Sequence, residues 1–232
     1  MSNEAMNVIA NVGASTMASL MSVVEPYQLT SGHVDDTIKL CLISACLFVI
    51  LLRVSFFVLG GDREAGLTAS SLSAMTMGLV TAPAATWIFM TQSWAGENFT
   101  AAISFDKNRI DDLVDIQEVT PHLNILTAFV LGEFLAQMIH LNWWFESWGE
   151  TGIMVFHHCV SLIAWPIAIH YRSCQLFILF YLVSEISNPF MHIYDLSKKY
   201  FPEGSLKGAW MAIVGVVFVA VYTAVRIWPL ND

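Results

Sequence analysis

Three apolar stretches of this 232-residue chain carry polar side chains at helical spacing. Glu133, Gln137 and His140 are separated by four and then three residues. Glu185, Asn188 and His192 are separated by three and then four. Each set therefore falls on one face of a helix. Between them in the sequence stands the pair His157-His158. Adjacent residues point about 100° apart on a helix, so the two imidazoles cannot face one partner, yet both can border one cavity. A histidine beside a carboxylate is a usable general acid or base. Glu185 can orient one imidazole while the other takes a proton from a hydroxyl or an amine. His157, His158, Glu185 and Asn188 are thus the catalytic candidates.

Ionisable groups in such stretches are expensive, starting at roughly 2.5–3.5 kcal/mol each in a bilayer. They persist when they face a bundle interior, pair with one another or serve function. Polar residues also act as bonds between helices, worth about 0.6 kcal/mol on average. From the residues alone that reading is favoured for His140, His192 and Gln137, and it stands level with a reactive site for His157, His158 and Glu185. His33, His122 and His170 fall at the ends of the apolar stretches and are expected to be solvated. Seven histidines without an HxxxH or HxxHH cluster are too sparse for a membrane di-iron centre, so no metal and no cofactor is assigned.

The elements that must position these groups are long apolar helices. A membrane span needs about 20 predominantly apolar residues. Six segments qualify, at about residues 37–59, 67–90, 123–141, 151–169, 174–194 and 208–228. Pro83, Pro166 and Pro189 fall inside three of them, which is tolerated where neighbours satisfy the freed carbonyls. The fold expected is all-α, an integral membrane bundle of about six transmembrane helices. Residues 1–34 form an N-terminal amphipathic segment, read as a helix on the bundle or at the interface and not as a span. Residues 35–232 form the transmembrane domain. Its one long loop, 93–121, is acidic, with Asp106, Asp111, Asp112 and Asp115 between Glu97 and Glu118. Lys198 and Lys199 are expected in the fifth connection. Trp143, Trp144 and Trp148 cluster after the third span, as aromatics do at headgroup level.

Composition agrees. The chain is 56% hydrophobic and only 12% charged, against about 25% charged in an average soluble domain. A net charge of −9 argues against nucleic acid as a partner, since phosphate binding needs a basic face, and against a polybasic grip on anionic lipid. Basic residues are split evenly between the two sides and leave the orientation open. Cys41, Cys46, Cys159 and Cys174 form no CxxC pair and read as small buried hydrophobes. The first basic residue is Lys39, so the charged start of a cleavable signal peptide is absent. There is no internal repeat or inverted half, which disfavours a secondary transporter.

Phe156-His157-His158-Cys159-Val160-Ser161-Leu162 resembles the His-His motif of TLC-domain proteins. Leu182-Val183-Ser184-Glu185-Ile186-Ser187-Asn188-Pro189-Phe190 resembles the ELS-x-PF stretch of the TLC-domain-containing branch. Val225-Arg226-Ile227-Trp228-Pro229 resembles that family's closing arginine. The third span departs from the family: Gly132-Glu133-Phe134-Leu135-Ala136-Gln137 stands where Gly-Tyr-Phe-x-x-Asp is common. Ser73-Ala74-Met75-Thr76 lacks the second-span histidine, and the paired aspartates of the ceramide synthases are absent. The resemblance implies a TLC-like six-helix fold in the endoplasmic reticulum or another internal membrane. It implies a role in membrane-lipid metabolism or homeostasis, with membrane lipids as partners. In the catalytic form the reaction is acyl transfer from an acyl-CoA to a sphingoid-like amine. In the non-catalytic form the bundle is a structural or lipid-binding subunit alongside other membrane protein subunits. The residues expected to line a lipid or substrate cavity are Glu133, Gln137, His140, Pro189, His192 and Arg226.

Overall fold

A computed structural model of the chain describes residues 3–24, 34–91, 121–144, 152–171 and 174–223. Every regular element among them is helical: α1 (Asn3–Val24), α2 (Val34–Val58), α3 (Arg63–Thr91), α4 (Pro121–Trp144), α5 (Gly152–His170), α6 (Gln175–Ser184), a 3-10 turn (Glu185–Ser187), α7 (Asn188–Tyr200) and α8 (Ser205–Tyr222). Among the described residues four stretches are long and apolar enough to cross a membrane: Asp35–Val58, Arg63–Thr91, Pro121–His140 and the composite Gln175–Tyr200. Two shorter apolar helices, Val155–His170 and Leu206–Tyr222, complete the set. The chain is a multi-pass, all-α membrane bundle. Leu47, Ile50 and Val54 on α2, Phe156 and Ile163 on α5, and Ile213, Val216 and Val219 on α8 all face outward, as lipid-facing side chains do.

The acidic loop, the tryptophan cluster as side chains, and Val225–Pro229 with Arg226 lie outside the described residues. The four cysteines are not joined in disulfides.

α4 is the hub. Its most extensive partner is α2, and it also meets α3 and α5. Gly132 makes the α2 contact possible: a Cβ there would come within 2.4 Å of Ser44 Cβ and 2.6 Å of the Cys41 carbonyl oxygen. Small residues at such seams let helix backbones approach closely. Phe48, Leu52 and Phe56 of α2 and Leu126, Val130 and Phe134 of α4 belong to one continuous buried cluster. α1 packs along α3, with Met17 buried.

The fifth expected span differs most from its sequence reading. It is not one helix ending near residue 194 but a helix, a 3-10 turn and a second helix reaching Tyr200. Lys198 and Lys199 therefore sit in the last turn of α7 and not in a connection. Pro189 explains the break. It has no N–H, and its ring excludes a regular helix through the preceding turn. Two serines engage the loosened backbone: Ser184 Oγ donates to the Tyr181 carbonyl at 2.7 Å, and Ser187 Oγ to the Ser184 carbonyl at 3.0 Å.

Candidate functional site

The break is held against α3 by Gly78. A Cβ at that position would stand 2.9 Å from both the Glu185 carbonyl oxygen and Pro189 Cδ. Only a glycine lets the two backbones meet there. The close approach brings the 3-10 turn, with Glu185, under the middle of α3 and opposite α4.

Between them is a cavity of about 240 Å³. Glu133, Phe134 and Gln137 reach it from α4, and His157 and His158 from α5. Tyr181, Glu185, Asn188 and His192 border it from the broken helix. Met77 lines it from α3, Met191 from α7, and Phe218 and Tyr222 from α8. The three polar stripes of the sequence thus converge on one hollow.

The groups are partly tied together. Ser73 Oγ on α3 donates to Glu133 Oε1 at 3.0 Å, and Gln137 Nε2 donates to the same oxygen. Asn188 Nδ2 donates to Glu185 Oε2. His157 Nε2 and the Tyr181 hydroxyl share a hydrogen bond. The His158 ring lies on the Phe134 ring, with centroids 4.4 Å apart and planes 13° from parallel. Trp165 meets both Phe134 and Tyr181, at 5.8 and 5.1 Å. The aromatic wall thereby fixes both imidazoles.

Other polar atoms are left over. Glu133 Oε2, His158 Nδ1 and His192 Nδ1 are buried and have no hydrogen-bond partner among the described residues. Thr81 Oγ1, the Asn124 and Gln175 amides and His140 Nδ1 are likewise unpartnered among the described residues and lie away from the hollow. Buried polar atoms in native proteins are nearly always bonded, and the three at the hollow border open space that a partner could fill. A ligand with its own donors and acceptors is such a partner. Among the described residues no three His, Cys, Asp or Glu side chains cluster as a metal site would require.

Not every residue singled out from the sequence reaches this cavity. His140 is buried elsewhere, its Nε2 3.0 Å from the Gly66 carbonyl oxygen and its ring edge-on to Phe56. The reason is axial: Glu133 and His140 are seven residues apart, or about 10 Å along a helix, so the stripe runs past the hollow. Pro189 is buried against Gly78 and shapes the break without lining the cavity. Two contributors escaped the sequence reading. Tyr181 sits one helical turn before Glu185, a spacing that could have flagged it. Ser73 was visible only as a small residue lacking the family's histidine.

Fold and cavity define the class: a polytopic membrane protein with titratable side chains bordering a hollow between its helices. The chain matches the TLC domain over residues 68–230 and belongs to that family, which is associated with membrane-lipid metabolism and homeostasis. It is similar to TLC domain-containing protein 4 A of Dictyostelium discoideum, with 24% identity over 109 residues. That alignment covers 45% of this chain and 42% of the relative, so less than half of either protein is compared. No solved structure gives a significant match.

Proposed function

We propose that the cavity is an intramembrane acid–base site acting on the headgroup end of a membrane lipid, and that the reaction is acyl transfer from an acyl-CoA to a sphingoid-like amine. One observation carries this reading. Glu133 Oε2 and His158 Nδ1 are both buried at the same hollow, and neither has a partner among the described residues. The carboxylates of Glu133 and Glu185 suit an ammonium group. In the transfer a carboxylate of the site first takes a proton from the ammonium, the freed amine nitrogen attacks the thioester carbonyl, the new C–N bond forms and the C–S bond breaks. An imidazole takes the proton from nitrogen and returns one to the departing thiolate. His158 is assigned the proton and His157, braced by Tyr181, the second imidazole position. Asn188 holds Glu185 in place.

The pairings themselves support a second reading. The Ser73–Glu133 and His157–Tyr181 bonds link helices as polar glue does. On that reading the protein binds lipid, or serves as a subunit beside other membrane proteins, without catalysis.

His158→Phe separates the two. Phenylalanine keeps the stack on Phe134 and removes both nitrogens. Expressed in cells lacking the native protein, the wild type should restore the lipid profile, and the variant should restore it at least about 100-fold less well, the usual scale for a general acid–base group. Full restoration by His158→Phe, at equal expression, would remove the acid–base assignment. An unchanged lipid profile in cells lacking the protein, with the tagged chain held in a large fixed complex, would favour the subunit reading.

A further inference from the structure

A second polar cluster lies outside the cavity, where the start of α3 crosses the end of α7. Tyr200 Oη and Thr68 Oγ1 are 2.6 Å apart. Lys199 Nζ donates to the Glu64 carbonyl at 3.2 Å and to Thr68 Oγ1 at 3.3 Å, pairs with Glu64 Oε2 at 3.2 Å, and stands 4.9 Å from the centre of the Tyr200 ring. With Asp195 and Ser71, the Glu64, Thr68 and Lys199 groups border a cup of about 320 Å³, and Tyr200 stands beside it in the adjoining groove. Sharing Thr68 and Leu196 with it is a groove of about 480 Å³ lined chiefly by apolar side chains, among them Leu72, Met75 and Ile193. The volume falls in the range of small-molecule sites, roughly 300–1,000 Å³.

The placement is informative. Glu64 and Lys199 belong to terminal turns of their helices, beside the 59–62 and 201–204 turns. Helix ends of a span lie at headgroup level, and the groove extends from there along residues deeper in each helix. A charged cup joined to an apolar trough at that depth is the shape of a lipid site.

The charges choose among lipids. The cup presents one ammonium, Lys199, and two carboxylates, Glu64 and Asp195. The pair between Lys199 and the largely exposed Glu64 is the kind that opens readily, because exposed ion pairs contribute little. Asp195 is exposed and makes no salt bridge among the described residues. A headgroup with only negative charge meets two carboxylates. One with only positive charge leaves Lys199 unmatched. A headgroup carrying both satisfies both sides: phosphate on Lys199 and Tyr200, ammonium on Asp195 and Glu64.

The geometry points to a binding site for a zwitterionic glycerophospholipid, with its headgroup in the cup formed by Lys199, Thr68, Asp195 and Glu64 and one acyl chain in the groove along Leu72, Met75 and Ile193. It is separate from the cavity of His157 and His158, and it stands whether or not that cavity is catalytic.

The full-length protein is purified in mild detergent and incubated with equal amounts of phosphatidylcholine, phosphatidylethanolamine and phosphatidylglycerol bearing identical chains. Retained lipid is counted by native mass spectrometry. The wild type should hold the two zwitterionic lipids about tenfold over phosphatidylglycerol, the ratio a single well-made charge contact supplies. Lys199→Ala and Asp195→Asn should each erase most of that preference. Asp195→Lys should turn it toward phosphatidylglycerol. Both positions are exposed on α7, so the three variants should fold, and unchanged thermal midpoints check this. Equal retention of the three lipids by the wild type overturns the proposal. So does a preference that survives all three substitutions. A single-chain amine added to the mixture that displaces the phospholipids overturns it as well.

Discussion

The two faces of α4 solve opposite problems. Toward α2 the helix presents Gly132 and the Phe129 carbonyl, and the two backbones close until a methyl group would not fit. A polar contact crosses that seam where Ser44 Oγ donates to the Phe129 carbonyl at 2.8 Å. Toward α5 and the broken helix it presents Glu133, Phe134 and Gln137, and the helices stand apart around a hollow. Lipid tails are as apolar as leucine, so no water-driven force pushes membrane helices together. Small residues close one side by contact; a polar constellation on an adjacent face comes with a cavity. Neighbouring residues, Gly132 and Glu133, belong to the two regimes.

The largest expected effect comes from forcing the closed side open. Gly132→Val adds atoms where even Cβ would lie 2.4 Å from Ser44 Cβ. Neither backbone can yield without shearing α2 from α4. We expect a loss of about 3 kcal/mol, the upper part of the usual overpacking range, read as a lower thermal midpoint in detergent. An unchanged midpoint would mean that α2 and α4 are not in contact as described.

The histidines sharpen the contrast next. His140 belongs to the same stripe as Glu133 but is bonded to Gly66 and packed on Phe56. His140→Ala should destabilise the protein by about 2 kcal/mol through the lost bond and the lost packing. It should leave lipid modification per folded molecule intact. His158→Phe should do the reverse, since it removes an unbonded buried nitrogen and keeps the stack. If His140→Ala abolishes activity at full stability, the boundary between structure and site has been drawn in the wrong place.

The hollow was legible in the sequence because a bilayer makes polar residues conspicuous. At three- and four-residue spacing, Glu133 with Gln137 and Glu185 with Asn188 and His192 could share only one face each. Convergence was legible too, since three consecutive spans carried such faces. Depth was not. Spacing fixes angle around a helix but does not say how far along the axis a neighbour's cavity extends, so His140 was grouped with Gln137, one turn away, and Glu133, two turns away. The helix break was half visible. Pro189 signals a lost hydrogen bond, but whether a helix kinks or splits depends on what packs at the gap. Here Gly78 lies against it, contributed by a distant segment. Tyr181 reads as one more aromatic in an apolar run until its contact with His157 is seen.

The smallest effect tests whether the closed side owes anything to polarity. Ser44→Ala deletes the hydroxyl and leaves the methylene packing in place. The Phe129 carbonyl lies inside α4, where the helix ladder already supplies it a donor, so the loss orphans no buried group. The expected cost is about 0.6 kcal/mol, the mean for a hydrogen bond between membrane helices. Measured beside Gly132→Val, it should be the minor term by several-fold. A loss equal to that of Gly132→Val would show that the seam is held by the Ser44 hydrogen bond and not by close approach, and the division of α4 into a face sealed by small residues and a polar face beside a cavity would fail.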